Sequence, residues 1–134
     1  MANLTYYSAN KTNDFLLGST AFTQPTTYYL GVSTTATQKD GSGITEPIDG
    51  AYARISITNN KTNFDTSVLG SLTNLIEFLF PESTVDWGTI THWFLSDAAS
   101  GGNIWFQGTL TSSRNVESET ILVLPVGSFS NLVE

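Results

Sequence analysis

The stretch Val85–Thr111, "VDWGTITHWFLSDAASGGNIWFQGTLT", constrains the fold most. Two runs, "TITHWFLSD" and "NIWFQGTLT", alternate large apolar and polar side chains with a period of two. That is the spacing of a half-buried strand. They are joined by "AASGG", whose glycines suit a short hairpin loop with backbone at positive φ. On the first run Trp93 and Leu95 share a face opposite His92 and Phe94. On the second, Ile104, Phe106 and Leu110 oppose Trp105, Gln107 and Thr109. A long antiparallel hairpin is therefore the expected centre of the molecule.

Other segments follow the same period. "TTYYLGVST" puts Tyr28, Leu30 and Val32 on one side, and "AYARISITNN" puts Ala53, Ile55 and Ile57 opposite Arg54, Ser56 and Thr58. "LTNLIEFLFPES" sets Ile76, Phe78 and Phe80 against Leu75, Glu77 and Leu79. "ETILVLPVGS" reads as a last strand. Both are apolar on both sides, and the first is expected to be covered on both faces. Between the early strands, "TTATQKDGSGITEPIDG" is rich in Gly, Asp and Pro and reads as a long loop. "SANKTNDFLLGST" predicts a short helix, with Thr12 or Asn13 as cap, Asp14 in the first turn and Gly18 at the end. Short strands separated by turns predict an all-β antiparallel sandwich or barrel-like single domain. Residues 1–18 form its N-terminal arm or short helix and residues 19–134 its β domain.

Composition narrows the chemistry. The chain of 134 residues is long enough for one core, and with no Cys it has neither disulfides nor thiolates. Net charge is −7, and the five cations, Lys11, Lys39, Arg54, Lys61 and Arg114, are scattered. Phosphate neutralisation needs a clustered basic footprint, so neither nucleic acid nor an anionic membrane is an expected partner. No apolar run reaches the length of a membrane span. The first residues lack a basic segment followed by an apolar one, so no signal peptide is expected.

His92 is the only histidine, too few for the usual gathering of metal ligands. Ser96 lies roughly 13 Å along a strand from it, so His92, Ser96 and Asp97 do not make a local triad. Only a distant Ser reaching His92 would leave nucleophilic chemistry open. Glu77, Asp86 and Asp97 sit in no recognisable glycosidase motif. "KDGSGI" lacks the spacing of a phosphate loop, and the Asp and Gly residues around it lack that of a calcium loop. No catalytic residue, metal or cofactor is expected. The three Trp read either as core or, for Trp87 and Trp105, as a platform for sugar or protein, with Trp87 the most exposed.

The order of motifs resembles a family of small virion proteins of tailed bacteriophages, variously labelled tail fibre, head fibre or capsid decoration proteins. The segments that carry it are "NDFLLGSTAFTQPTTYYLGVSTT", "GITEPIDGAYARISI" and "FPESTVDWGTITHWFLSDAASGGNIWFQGTLT". The likeness spans residues 9–134, with the W-G-x-I-T-H stretch its most specific part. One departure is Ala51, an extra residue before Tyr52. The resemblance implies a virion component without catalytic residues. The expected role is a cement protein that binds the assembled head, with the major capsid protein and its own copies, as a homotrimer, for partners. The alternative is a tail or fibre-associated protein that touches the host surface or a glycan. Leu4, Tyr6, Tyr7, Phe15 and Leu16 are the candidate contact arm, because an apolar terminus ahead of the first strand is well placed to reach a neighbour. Phe15 and Leu16 could instead cap the sandwich.

Overall fold

A computed structural model describes residues 3–127 and 130–132. Its elements are β1 (Asn3–Leu4), α1 (Tyr6–Leu16), β2 (Thr27–Ser33), β3 (Ile55–Thr58), β4 (Ser71–Thr73), β5 (Phe78–Leu79), β6 (Gly88–Ser96), β7 (Ile104–Val116), β8 (Val123–Leu124) and β9 (Ser130–Leu132). The main sheet is antiparallel in the order β1-β7-β6-β2-β3, and two ribbons, β4-β9 and β5-β8, stand apart from it. The fold is all-β with one short helix. It does not close into a barrel; the second layer is made of the two ribbons and their loops.

The predicted hairpin is the centre. β6 and β7 pair along most of their length, and the turn between them places Gly101 and Gly102 at φ of 63° and 74°. Cross-strand pairing builds the core. Val32 lies opposite Trp93, Leu30 opposite Leu95 and Ile55, Tyr28 opposite Ile57, and Leu95 opposite Phe106. Phe64, Phe78, Phe80, Leu122 and Leu124 from the second layer complete one buried cluster. Burying a side chain such as Leu30 or Val32 stabilises by about 1.5–3 kcal/mol.

The opposite face of the sheet is covered by the loop over residues 34–50. Ser33 Oγ donates to the Thr35 carbonyl and accepts from the Thr45 amide, and Thr37 Oγ1 donates to Gln107 Oε1. Beneath it, Gly31 faces Phe94 across β2 and β6.

Four expectations need correction. The helix begins at Tyr6, capped by Thr5, and not at Thr12 or Asn13. Thr5 is selected by tertiary contact: its hydroxyl accepts from the Ser8 amide and donates to the Ile104 carbonyl of β7. Asp14 consequently falls in the last turn, and Ser19, not Gly18, takes the left-handed conformation after the helix. Second, the N-terminal segment does not lie ahead of the first strand, because Asn3–Leu4 itself forms the edge strand beside β7; of arm or short helix, the structure has the helix. Third, "LTNLIEFLF" breaks into β4 and β5 at buried Asn74, whose side-chain amide donates to the Ile76 and Pro125 carbonyls. Its outer residues Leu75, Ile76 and Leu79 are exposed, so it is covered on one face only. Fourth, β7 does not keep the predicted division of faces. Irregular register at Leu95/Ser96 lets Trp105 join the core cluster together with Leu110, while Ile104 stays half-buried outside it.

Candidate interaction surfaces

The polar residues of the "ITEPIDGAYAR" segment are consumed inside the fold. Arg54, with a side chain only 6% exposed, donates from Nε and Nη2 to the two Glu46 carboxylate oxygens at 2.9 and 3.0 Å. Its Nη1 donates to the Ala98 and Gly101 carbonyls, both at 2.9 Å. Its guanidinium lies over the Phe94 ring, 4.9 Å from the centroid. Tyr52 Oη donates to Glu46 and accepts from the Val32 amide. One guanidinium thus ties the long loop, the β6–β7 turn and the start of β3 together. Burial pushes the Glu46 carboxyl up, but hydrogen bonds from Arg54 and Tyr52, with the Arg54 charge, bring the net shift downward. Burial, aided by Glu46, drives the Tyr52 phenol far above its ordinary value.

Asp49 is the second tie. Its carboxylate accepts from the Thr84 hydroxyl and amide, the Val85 and Ala51 amides, and the Trp87 indole at 2.9 Å. The Thr84 hydroxyl first, then the Ala51 amide and the Trp87 indole, hold this carboxyl well below the usual range. The "DGAYAR" and "FPESTVDWG" segments meet here.

Trp87 is 5% exposed, wedged edge-on against Tyr52 and Phe80, and Trp105 is also 5% exposed. Of the two readings, core or platform, both take the core one. Trp87 is drawn in by Asp49, and Trp105 is covered by the helix through an edge-to-face contact with Tyr7, ring centroids 5.3 Å apart.

The helix carries the other candidates. Leu4 is half-buried in β1, while Tyr6, Tyr7 and Phe15 are exposed and Leu16 is 68% exposed. Phe15 meets Phe22 edge-to-face, so it contributes to local packing as well as to surface. Sequence reasoning missed a second apolar surface on the ribbon layer, where Leu75, Ile76, Leu79, Ile121 and Val126 are exposed. The pairing of Leu79 with Val123 leaves alternate residues of both strands facing outward. Nearby, Leu69 is 96% exposed at the tip of a two-residue turn closed by Val68 and Ser71. Leu69 and Gly70 have φ of 55° and 79°, the conformation that favours Asn-Gly. The signal available in sequence was the two-sided apolarity of "LTNLIEFLF", read there as double burial.

His92 Nδ1 pairs with the Thr91 hydroxyl at 2.7 Å, and burial lowers its pKa. Ser96 Oγ donates to the Gly101 carbonyl. Asp97 accepts from Asn103 and from the Trp105 indole. Ser96 and Asp97 thus organise the β6–β7 turn and leave His92 to Thr91. No group of three or more His, Asp or Glu able to hold a metal occurs among the described residues. Nor, among them, is any helix long and apolar enough to cross a membrane.

The protein family described as "Podophage GP4 fiber I protein gp80" matches residues 3–131. The chain belongs to that family. Among curated proteins, none matches the chain. Membership makes it a structural protein of a bacteriophage virion. Two of the three segments that carried the resemblance in sequence are, in this member of the gp80 family, the ones that hold the Glu46–Arg54 and Asp49–Trp87 ties.

Proposed function

We propose that this chain is a module of the virion's fibre apparatus that works through non-covalent contacts with neighbouring virion proteins and breaks no bonds. The family's description as a fibre protein supports the fibre placement. The observation that carries the contact role is the division of side chains between interior and surface. The distinctive polar residues, Glu46, Asp49, Arg54 and Asp97, have internal partners. Large apolar side chains stand exposed on α1 and on the ribbon layer. Apolar surface of this kind is what an assembly contact buries.

A second reading, a cement protein of the head bound to the major capsid protein as a homotrimer, is favoured by the presence of two apolar surfaces on different elements. Two such surfaces suit a protein that bridges neighbours across a seam. Partners that bind only the assembled state stabilise it by mass action.

Cryo-electron microscopy of virions carrying an epitope-tagged copy separates the two. Label and matching density on fibres support the proposal. Label distributed over the head shell overturns it in favour of the second reading. Virions in which the chain is missing from every particle refute both.

A further inference from the structure

We infer that a cleft between β2, β7 and the Asn59–Phe64 turn is a binding site for an acidic saccharide. The cleft encloses about 320 Å³, the scale of a small-ligand site. Its apolar floor is made by three rings, Tyr28, Phe64 and Phe106, with Leu72 and Leu95. These rings meet in edge-to-face contacts, Tyr28 with Phe64 at 6.4 Å and with Phe106 at 6.0 Å, which hold the floor rigid. The rim is amide and ammonium: Gln24, Asn59, Asn60 and Lys61. An apolar aromatic floor suits the C–H face of a pyranose, and amides at the edge suit its hydroxyls, as donors and acceptors together.

The rim is pre-organised. Asn59 Nδ2 donates to the Pro25 carbonyl at 2.9 Å, and Asn60 Oδ1 accepts from the Thr62 and Asn63 amides, which leaves the Asn60 amide nitrogen for a ligand. Lys61 Nζ donates to the Asp65 carbonyl at 2.7 Å, which fixes the ammonium at the mouth and leaves two of its protons for a ligand.

Charge selects among saccharides. The protein has twelve acidic residues against five cations, yet no carboxylate lines this cleft among the described residues, and Lys61 does. Gln24 also lines a second cleft of about 470 Å³, which holds Lys11 with its ammonium 4.8 Å from the Tyr7 ring centroid and also Asp97, whose carboxylate accepts from Asn103 and the Trp105 indole. A chain of linked sugars would therefore run from Lys61 across Gln24 toward Lys11. Two of the five cations stand along that path against one carboxylate, Asp97, while Arg54 is committed to Glu46. A saccharide bearing carboxylates fits this pattern better than a neutral one.

This inference does not rest on the fibre placement: the titration below reads ligand chemistry, and imaging reads location. The test titrates the full chain with trigalacturonate and, separately, with maltotriose, followed by calorimetry and by the NMR signals of the side-chain amides. Trigalacturonate is expected to bind, with shifts at Gln24 and Asn60, at least tenfold more tightly than maltotriose. Lys61→Gln and Asn60→Asp, the second of which keeps the acceptor that caps the turn, are each expected to weaken trigalacturonate binding at least fivefold with urea midpoints unchanged. Equal affinity for the two sugars overturns the inference. So do binding unaffected by either variant, and absence of binding in a sample whose NMR spectrum shows the folded protein.

Discussion

Replacing Gly31 with Ala tests whether the sheet face beneath the long loop is as tightly closed as it looks. An added Cβ would lie 2.1 Å from Phe94 Cζ and 2.6 and 2.7 Å from its two Cε atoms. Carbon atoms rest in contact at about 3.5–4.0 Å, so the ring would have to retreat by roughly 1–1.5 Å. Its path is blocked. Phe94 is fully buried, and the Arg54 guanidinium sits on it, held by bonds to Glu46, Ala98 and Gly101. Overpacking alone costs about 1–3 kcal/mol. Displacing the guanidinium far enough to lose one charged hydrogen bond adds about 1.5–3 kcal/mol. Gly31→Ala should therefore destabilise by about 3–5 kcal/mol. Phe94→Leu removes the clashing carbons, and in the double variant the two changes should couple favourably by at least about 1 kcal/mol. Urea unfolding followed by tryptophan fluorescence measures both. A Gly31→Ala protein within about 0.5 kcal/mol of the parent, or strictly additive effects in the double variant, would refute the reasoning.

Arg54→Lys should be nearly as damaging as Arg54→Ala, about 2–3 kcal/mol in denaturant unfolding, because an ammonium cannot form the fork to Glu46 and also reach both turn carbonyls; full stability in the Lys variant would count against the tie. The carboxyls of Asp49, Glu46, Asp40 and Asp97 are all held below their ordinary values. Groups depressed in the folded state contribute stability above their unfolded pKa and lose it as pH falls through the folded one. Stability should thus hold above the ordinary Glu value of 4.5 and decline steadily below it, with a shallower decline in Asp49→Asn; an acid limb identical in that variant would be the contrary result. Leu69→Asn should raise stability by about 0.5–1 kcal/mol by relieving a side chain from positive φ, and should lower incorporation into virions if the tip is a contact; an unstable variant would speak against the turn geometry. Leu16→Lys with Leu17→Lys, both at exposed positions, should leave the urea midpoint within about 0.5 kcal/mol of the parent while reducing virion-associated protein, scored by immunoblot of purified particles.

What could be read from the chain and what could not divides along one physical line. Tyr28, Leu30 and Val32, and Trp93 with Leu95, revealed their burial because a strand flanked by others in one sheet must alternate, and their period survives in the pairing. The helix start did not, because its cap was chosen at long range. Thr5 caps α1 while bonded to a carbonyl ninety-nine residues away, and no local pattern carries that information. The choice between core and platform for the two tryptophans stayed open for the same reason. Trp87 looked available at a strand's start, but the group that buries it is Asp49, thirty-eight positions earlier in a loop that reads as mere turn chemistry. That loop also runs into one of the segments that carry the family resemblance, and its tie reaches Trp87 at the start of the most specific one, which explains why pattern and interior coincide. Glu46, Asp49, Tyr52 and Arg54 stabilise only if the loop folds back onto β2, the β6–β7 turn and the segment that ends in Trp87, so their identities are fixed jointly. The exposed apolar surfaces are under no such joint constraint from within the chain. Exposed leucines on α1 and the ribbons are not buried within the chain, and under the proposed function their pattern would answer to a neighbour whose shape the chain does not encode. The core could therefore be found by period and the ties only by structure, while the partner is to be sought where apolar residues depart from both.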